Sequence, residues 1–157
     1  MGTLWDTFYT SQTAHRERVK NGAKVLNLRN IPQEKNDMGL MQWYMHPDLK
    51  DRSINTLIVA MQEIKPGSRS GKLKRAGGQL VYIWHGAKGH TDLNGKRYDW
   101  EKGDIVQLPL LTDGCVVQHF NDDSAASAYL LCVEVNTIDL LGRDGGPGFE
   151  MLEKAPD

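Results

Sequence analysis

The sequence has few cysteines, no excess of charge and no long apolar run. Its two cysteines, Cys115 and Cys132, do not form a C-x-x-C pair, so we expect two reduced, half-buried thiols rather than a disulfide framework. The 19 Lys and Arg residues are balanced by 20 Asp and Glu residues, which leaves no general field to attract nucleic acid or anionic lipid. No apolar run approaches the roughly 18 residues that span a bilayer. We therefore expect neither nucleic acid nor membrane as a partner.

The N-terminal residues also lack targeting signals. No basic stretch precedes an apolar core, and Asp6 stands where a myristoylation motif requires Ser or Thr. The expected location is therefore the cytoplasm. A chain of 157 residues is expected to fold as one domain.

A helical arm is predicted for residues 1–22. Thr3 can cap its N-terminus, and Gly22 follows it as a stop. The apolar residues of the arm are crowded toward its beginning, where Leu4, Trp5 and Phe8 lie at roughly helical spacing. Such a short stripe favours an arm packed on a barrel or on a neighbouring subunit.

Short strand patterns separated by Gly and Pro fill residues 23–135, and residues 136–157 resemble a tail. Asn94-Gly95 is the best hairpin signal, because both central positions of a tight mirror-image turn favour positive φ. Many short strands, with almost no helical pattern after residue 22, predict an antiparallel sandwich or barrel. The predicted strands cover residues 24–30, 40–45, 56–64, two runs within 66–86, then 87–92, 96–100, 105–109, 115–121 and 128–135, and residues 33–39 read as a loop.

The segment from Pro66 to Gly86 carries the most specific motif in the chain. It has a Pro-Gly turn, a strand, the Gly77-Gly78 bend and a second strand that closes on Gly86. This frame resembles the first motif of the cupins, and the later elements fall in the right order: Asn94-Gly95, Trp100, Gly103-Asp104, Pro109 and residues 118–121. The chain looks most similar to small single-domain cupins related to gentisate-type dioxygenases. The resemblance implies an all-β, antiparallel double-stranded β-helix (jelly-roll) barrel, commonly a homodimer, and it hints at aromatic compound catabolism.

Metal-binding cupins hold Fe, Mn, Ni or Zn with two His and a Glu from the first motif and one His from the second. The matching positions here are Leu73, Arg75, Gln79 and Val117. Leu and Val offer no lone pair, Arg cannot be deprotonated near neutral pH, and a single Gln amide oxygen is a poor ligand. The resemblance therefore predicts that the usual metal site is lost, and the expected cofactor is none.

An atypical site is the alternative for a metal. His85 ends the strand that holds Gln79, and His119 should face inward with Cys115, because side chains two apart on a strand point the same way. These three side chains are a conceivable replacement site for Fe, Mn, Ni or Zn. His15, His46 and His90 read as surface or loop residues.

An organic ligand is the main expectation for the emptied barrel. Arg75 pairs with a ligand carboxylate, pairs with an internal acid such as Glu63 or Glu134, or extends its charged group out of the barrel mouth. His119 is the candidate catalytic residue, or else an imidazole bonded to Asn121 or to a backbone carbonyl. The predicted ligand-binding residues are Leu73, Arg75, Gln79, Val81, Ile83, Cys115, Val117 and His119.

Four functions stay open from the sequence. The first is a metal-free protein that binds a small aromatic or carboxylated metabolite. The second is a metal-independent lyase, isomerase or decarboxylase that uses His119 and Arg75. The third is a dioxygenase-like enzyme with an atypical metal site, and the fourth is a degenerate structural partner of an active paralogue.

Overall fold

The computed structural model of the chain describes residues 2–86, 88–136 and 149–156. An N-terminal helix is followed by short strands and one 3-10 turn, Leu28–Asn30. The helix and strands are α1 (Leu4–Asn21), β1 (Glu34–Asn36), β2 (Gly39–Met45), β3 (Leu57–Ile64), β4 (Lys72–Arg75), β5 (Gln79–His85), β6 (Gly89–Leu93), β7 (Lys96–Trp100), β8 (Ile105–Leu108), β9 (Cys115–Asn121), β10 (Ala128–Val135) and β11 (Phe149–Glu153).

The helical arm is confirmed, and its start has the predicted cap. The Thr3 hydroxyl accepts from the Asp6 backbone N–H, while the Asp6 carboxylate accepts from the Thr3 backbone N–H, which forms a capping box. No residue of α1 is buried. Among the described residues, no helix is long and apolar enough to cross a membrane.

The strands form two antiparallel sheets that face each other. One sheet has the order β1-β2-β3-β10-β5-β8 and the other has the order β11-β4-β9-β6-β7. Alternate residues of β5, β9 and β10 point between the sheets, as the two-residue period of a strand requires. Their buried side chains include Val81, Ile83 and Leu130, so the core lies between the sheets and confirms the predicted all-β architecture.

The predicted hairpin joins β6 to β7. Asn94 has φ of 52° and Gly95 has φ of 78°, as the mirror-image turn requires. The turn places Thr91 opposite Tyr98 and Gly89 opposite Trp100, so the indole of β7 packs beside the backbone of Gly89.

Three local expectations are wrong. Residues 24–30 do not form a strand, because the Asn27 side chain accepts from the Arg29 N–H and favours a 3-10 turn instead. The expected loop at 33–39 contains β1, which pairs with β2. The expected tail contains β11, which pairs with β4 across a long gap in sequence and forms the edge of that sheet. Of that tail, residues 137–148 lie outside the described residues.

Candidate functional site

A cleft opens where the two sheets meet at their edges. β7 lies at the edge of one sheet and β8 at the edge of the other. Between them is a cavity of about 620 Å³, a size suited to a small organic molecule. We call it the β7–β8 cleft. It is lined by residues 78–80 and 98–100, by residues 104–109 and by Leu93.

Aromatic and aliphatic side chains form the walls of this cleft. Tyr98 and Trp100 are two residues apart on β7 and therefore share a face. Val106 and Leu108 line the cleft from β8 with the same spacing. The charged residues of the lining are the acids Asp99 and Asp104, and no Lys, Arg or His occurs among the described residues that line it.

Gln79 borders this apolar space with a polar group. It begins β5 beside Leu108 of β8, and only 8% of its surface is exposed. Among the described residues, the Gln79 side-chain amide has no hydrogen-bond partner. The Gln79 amide is not one of the fully buried unpartnered groups of the described residues, so solvent reaches it, and a guest in the cleft can donate to it or accept from it.

Arg75 meets a carboxylate inside the protein. Its guanidinium donates through Nη2 to Glu134 of β10, which favours the internal pairing over a ligand carboxylate. Both side chains are largely removed from solvent, and the Arg75 Nε–H has no partner within the described residues. Burial lowers the pKa of the Arg75 guanidinium, while the nearby Cys132 and Cys115 thiols act in the opposite direction.

His119 is held by both its backbone and its ring. Its N–H donates to the Ser70 hydroxyl at 2.9 Å, and its carbonyl accepts from the Ser70 N–H at 2.8 Å. Its Nδ1 lies 2.8 Å from the Thr91 hydroxyl, so the partner is neither Asn121 nor a backbone carbonyl.

The Thr91 hydroxyl also links the ring of His119 to Trp100. The Trp100 indole N–H can only donate, and it donates to Thr91 Oγ1 at 3.1 Å. Burial lowers the pKa of His119 to about 4, and the positive charge of Arg75 acts in the same direction.

The two thiols are buried on facing sheets as free cysteines. Burial raises the pKa of Cys132 to about 11 and also raises the pKa of Cys115, although the charge of Arg75 opposes both shifts. Both cysteines are therefore protonated near neutral pH and act as small apolar residues.

Most of the predicted ligand-binding residues pack into the core instead of lining the cleft. Gln79 is the one that reaches it. Leu73, Cys115 and Val117 form one apolar cluster with Leu108, whereas Val81 and Ile83 belong to a second cluster with Trp100. Arg75 and His119 are buried near these clusters. The two clusters share Val106, which connects them to the cleft wall.

The usual cupin metal does not fit the residues present. Leu73 and Val117 pack against apolar neighbours, and the Arg75 guanidinium is paired with Glu134. A guanidinium paired with a carboxylate offers no lone pair to a metal ion, and its positive charge disfavours a divalent cation nearby.

The alternative metal residues also stay apart. His85 is exposed and lies beside the Tyr129 ring at 6.2 Å. Within the part of the chain that the structure describes, one group of possible ligand atoms lies within 4.8 Å of one another. It is formed by His90, Asp99 and Asp122 and includes neither His119 nor Cys115. Arg97 already occupies that cluster, because it donates to Asp99 at 2.7 Å and to Asp122 at 2.9 Å.

His90 was expected on the surface or in a loop, and it is buried on β6. Its ring stacks on Phe120 at 4.4 Å, and its Nδ1 lies 2.8 Å from Asp122. The wall residues Tyr98 and Val106 were not predicted from the sequence. The alternation of Tyr98 with Trp100 was a usable signal, but the meeting of β7 with β8 depends on sheet order, which the sequence does not show.

Neither a protein-family model nor a curated protein matches the chain. Solved structures do resemble it. A cupin-like protein from Thermotoga maritima superposes with a TM-score of 0.54 at 19% identity, over 77% of this chain and 87% of that one. An uncharacterised protein with a double-stranded β-helix domain from Klebsiella pneumoniae gives 0.59 at 16% identity, over 84% and 99%.

The coconut allergen cocosin gives a TM-score of 0.61 at 16% identity, over 77% of this chain, which spans only 34% of the cocosin chain. At these identities the agreement concerns the fold. The two facing antiparallel sheets, their strand order and these similarities show that the chain has a cupin-type double-stranded β-helix fold with an N-terminal helical arm.

Proposed function

We propose that this protein binds a small, uncharged aromatic molecule in the β7–β8 cleft without a metal ion. The observation that carries the proposal is an apolar cleft of about 620 Å³ that borders the unpartnered amide of Gln79. A mostly apolar cavity with a few convergent polar groups is the usual form of a small-ligand site.

The charge of the cleft favours an uncharged ligand over a carboxylate. The charged residues that line the cleft are Asp99 and Asp104. Arg75, which was expected to bind a ligand carboxylate, already forms an ion pair with Glu134. Lys96 lies at the rim, with its Nζ 5.0 Å from the centroid of the Tyr98 ring. A carboxylate in the cleft would have to lose its water without gaining a buried partner, which costs several kcal/mol.

Binding is favoured over catalysis by the state of His119. A general base works best with a pKa near the operating pH, and the pKa of His119 is about 4. Arg75, the group expected to hold an anionic intermediate, has its own carboxylate. The relation to gentisate-type dioxygenases, a homodimer and a cytoplasmic location stay predictions from the resemblance and composition.

Thermal shift with matched ligands tests the proposal. Benzyl alcohol and cinnamyl alcohol are compared with benzoate and cinnamate, which carry the same rings and a charge. We expect the alcohols to raise the unfolding temperature by mass action and the acids to leave it unchanged. Gln79→Leu should reduce the shift with the alcohols, because it removes the polar group at the border of the cleft.

Gln33→Leu is the matched control, since it removes an amide that lies before β1 and outside the cleft. It should leave the shifts unchanged. A larger shift with the acids that disappears in Arg75→Met would overturn the proposal and assign the ligand to Arg75. Stoichiometric Fe, Mn, Ni or Zn in protein purified without chelator would overturn its metal-free part.

A further inference from the structure

The six-stranded sheet is apolar on the face that points away from the core. Tyr82 lies between Ile105 and Leu131 in the strand register, and Leu80 lies beside Val133 in the next row. Trp84 continues the same face of β5. We call these six residues the outer apolar face: Leu80, Tyr82, Trp84, Ile105, Leu131 and Val133.

Three residues of this face, Leu80, Trp84 and Ile105, are exposed and the other three are half-buried, although its composition is that of a core. An antiparallel sheet with one face in water normally alternates apolar and polar residues. Here the inward residues Val81 and Ile83 and the outward residues Leu80 and Trp84 are all apolar. Trp84 is 58% exposed and Ile105 is 56% exposed, so the face has the properties of an uncovered contact surface.

The helix α1 carries the second uncovered apolar surface. Leu4, Trp5, Phe8 and Tyr9 lie within its first two turns, and Trp5 is 70% exposed. The rings of Trp5 and Phe8 are 6.1 Å apart. Most of the stability of helices in proteins comes from packing of an apolar face, and no residue of α1 is buried. The helical arm therefore needs a surface to cover these rings.

The helix α1 is attached to the barrel at its C-terminal end, whereas its apolar residues lie at its N-terminal end. Ala23 bridges to Arg52, and the Ser53 hydroxyl donates to the carbonyls of Gly22 and Ala23 at 2.7 Å. The anchor is thus at the C-terminal end of α1. A helix of 18 residues is about 27 Å long, so the Trp5 end extends about the length of a small domain beyond the joint.

We propose that α1 of one copy packs its apolar end on the outer apolar face of a second copy, and that the second copy returns the same contact. Each chain has both the apolar end of α1 and the outer apolar face. In a dimer with two-fold symmetry, both surfaces of both copies are therefore buried. Four large side chains present on the order of 500 Å² on each helix. With the sheet area and the two-fold repeat, the interface reaches on the order of 2,000 Å², enough for a stable dimer.

Sedimentation equilibrium of the full chain measures the Kd of the dimer, with one variant in the helix and one in the outer apolar face. Trp5→Ser changes the helix and Trp84→Thr changes the sheet. Each should raise the Kd of the dimer by at least about 30-fold, as central aromatic residues do at protein interfaces. Leu110→Ser is the control, because Leu110 is 76% exposed in the loop after β8 and belongs to neither surface.

A mixture of the two variants tests the reciprocal arrangement. A heterodimer of the Trp5→Ser and Trp84→Thr chains keeps one intact helix-on-sheet contact, whereas each variant alone keeps none. We expect the equimolar mixture to dimerise more tightly than either variant by itself. Amide protection of the core strand β10 should match the wild type, which shows that the barrel of both variants folds.

Three outcomes would overturn the proposal. A monomer at all concentrations would show that the helix covers no second copy. A dimer weakened by Trp84→Thr and unaffected by Trp5→Ser would show that the sheets pack face to face without the helix. Binding of a monomer to phosphatidylcholine–phosphatidylserine vesicles that is lost in Trp5→Ser would assign the helix to a membrane surface. Leu80 and Ile105 also line the β7–β8 cleft, so these measurements are made without any added ligand, and their outcomes do not test whether the cleft binds one.

Discussion

Arg75 stands where a metal-binding relative is expected to have a histidine, and its charge is satisfied within the chain. The guanidinium and Glu134 come from facing sheets, so their pairing joins the two halves of the sandwich. A buried ion pair adds little compared with apolar residues, but removing one partner leaves the other charge buried and unpaired. The pair therefore makes both residues intolerant of single substitution.

Arg75→Met is expected to lower the free energy of unfolding by about 3–5 kcal/mol, because Glu134 stays buried without its partner. The double variant Arg75→Met, Glu134→Gln should recover part of this loss, because it removes the buried, unpaired carboxylate charge. Urea unfolding followed by tryptophan fluorescence measures both. The control is Arg69→Met, which breaks the half-exposed Arg69–Glu153 pair and should cost less than about 1 kcal/mol. Equal losses in the two single variants would contradict the role of burial.

His119 makes the stability of the protein depend on pH. Burial holds its pKa at about 4 in the folded protein, whereas the ordinary value is 6.5, so the unfolded chain binds a proton that the folded chain does not. The stabilisation by neutral His119 is complete above pH 6.5 and is lost as the pH falls toward 4. The loss is on the order of 3 kcal/mol.

His119→Asn should flatten this dependence. The unfolding free energy is measured in urea at several pH values between 7 and 4.5 for the wild type and the variant. We expect the wild-type curve to fall more steeply, whatever the stability of the variant at pH 7. Parallel curves would show that His119 is not the group that resists protonation.

The sequence predicted the inward direction of these side chains but not their partners. Alternation along β9 placed Cys115, Val117 and His119 on one face, and all three are buried. The choice of Glu134 over Glu63 for Arg75 could not be made, because it depends on which strand lies across the barrel. The cleft was missed for the same reason, since it exists only where the edges of two sheets meet.

At the scale of single elements, local chemistry explains both the successes and the errors. Asn94-Gly95 and the Thr3 cap are signals within a few residues, and both are confirmed. β11 has no such signal, because it pairs with β4, which is distant in sequence. The failure at residues 24–30 comes from a side chain: Asn27 bonds its own backbone and competes with sheet pairing.

Alanine substitutions at two glycines of the β6–β7 region distinguish the cost of backbone strain from the cost of steric overlap. Gly95→Ala should cost about 1 kcal/mol, since its φ of 78° is unfavourable for Ala and nothing lies within 4 Å of the added Cβ. Gly89→Ala should cost at least twice as much, because its Cβ would overlap the Trp100 ring and the Phe120 carbonyl. Denaturant unfolding measures both variants. The reverse order would show that the turn, and not the contact with Trp100, limits stability here.

At the scale of the whole molecule, the barrel and the arm differ in what stabilises them. Strands β3, β5 and β10 are buried between neighbouring strands and carry the core. The arm has a capping box and a joint at Ala23, but no buried side chain. The barrel is therefore expected to be stable as a monomer, whereas the order of the arm depends on what its apolar end contacts.

This difference predicts that the arm unfolds on dilution while the barrel does not. Amide hydrogen exchange is measured at protein concentrations above and below the Kd of the dimer. Protection of residues 4–21 should fall when the dimer dissociates, because the exposed helix loses the packing that offsets its conformational entropy. Protection of β10 serves as the internal reference and should stay constant.

In Trp5→Ser the arm should exchange rapidly at every concentration. If residues 4–21 stay protected in a protein shown to be monomeric, the helix is stabilised within its own chain and the arm does not report on a second copy.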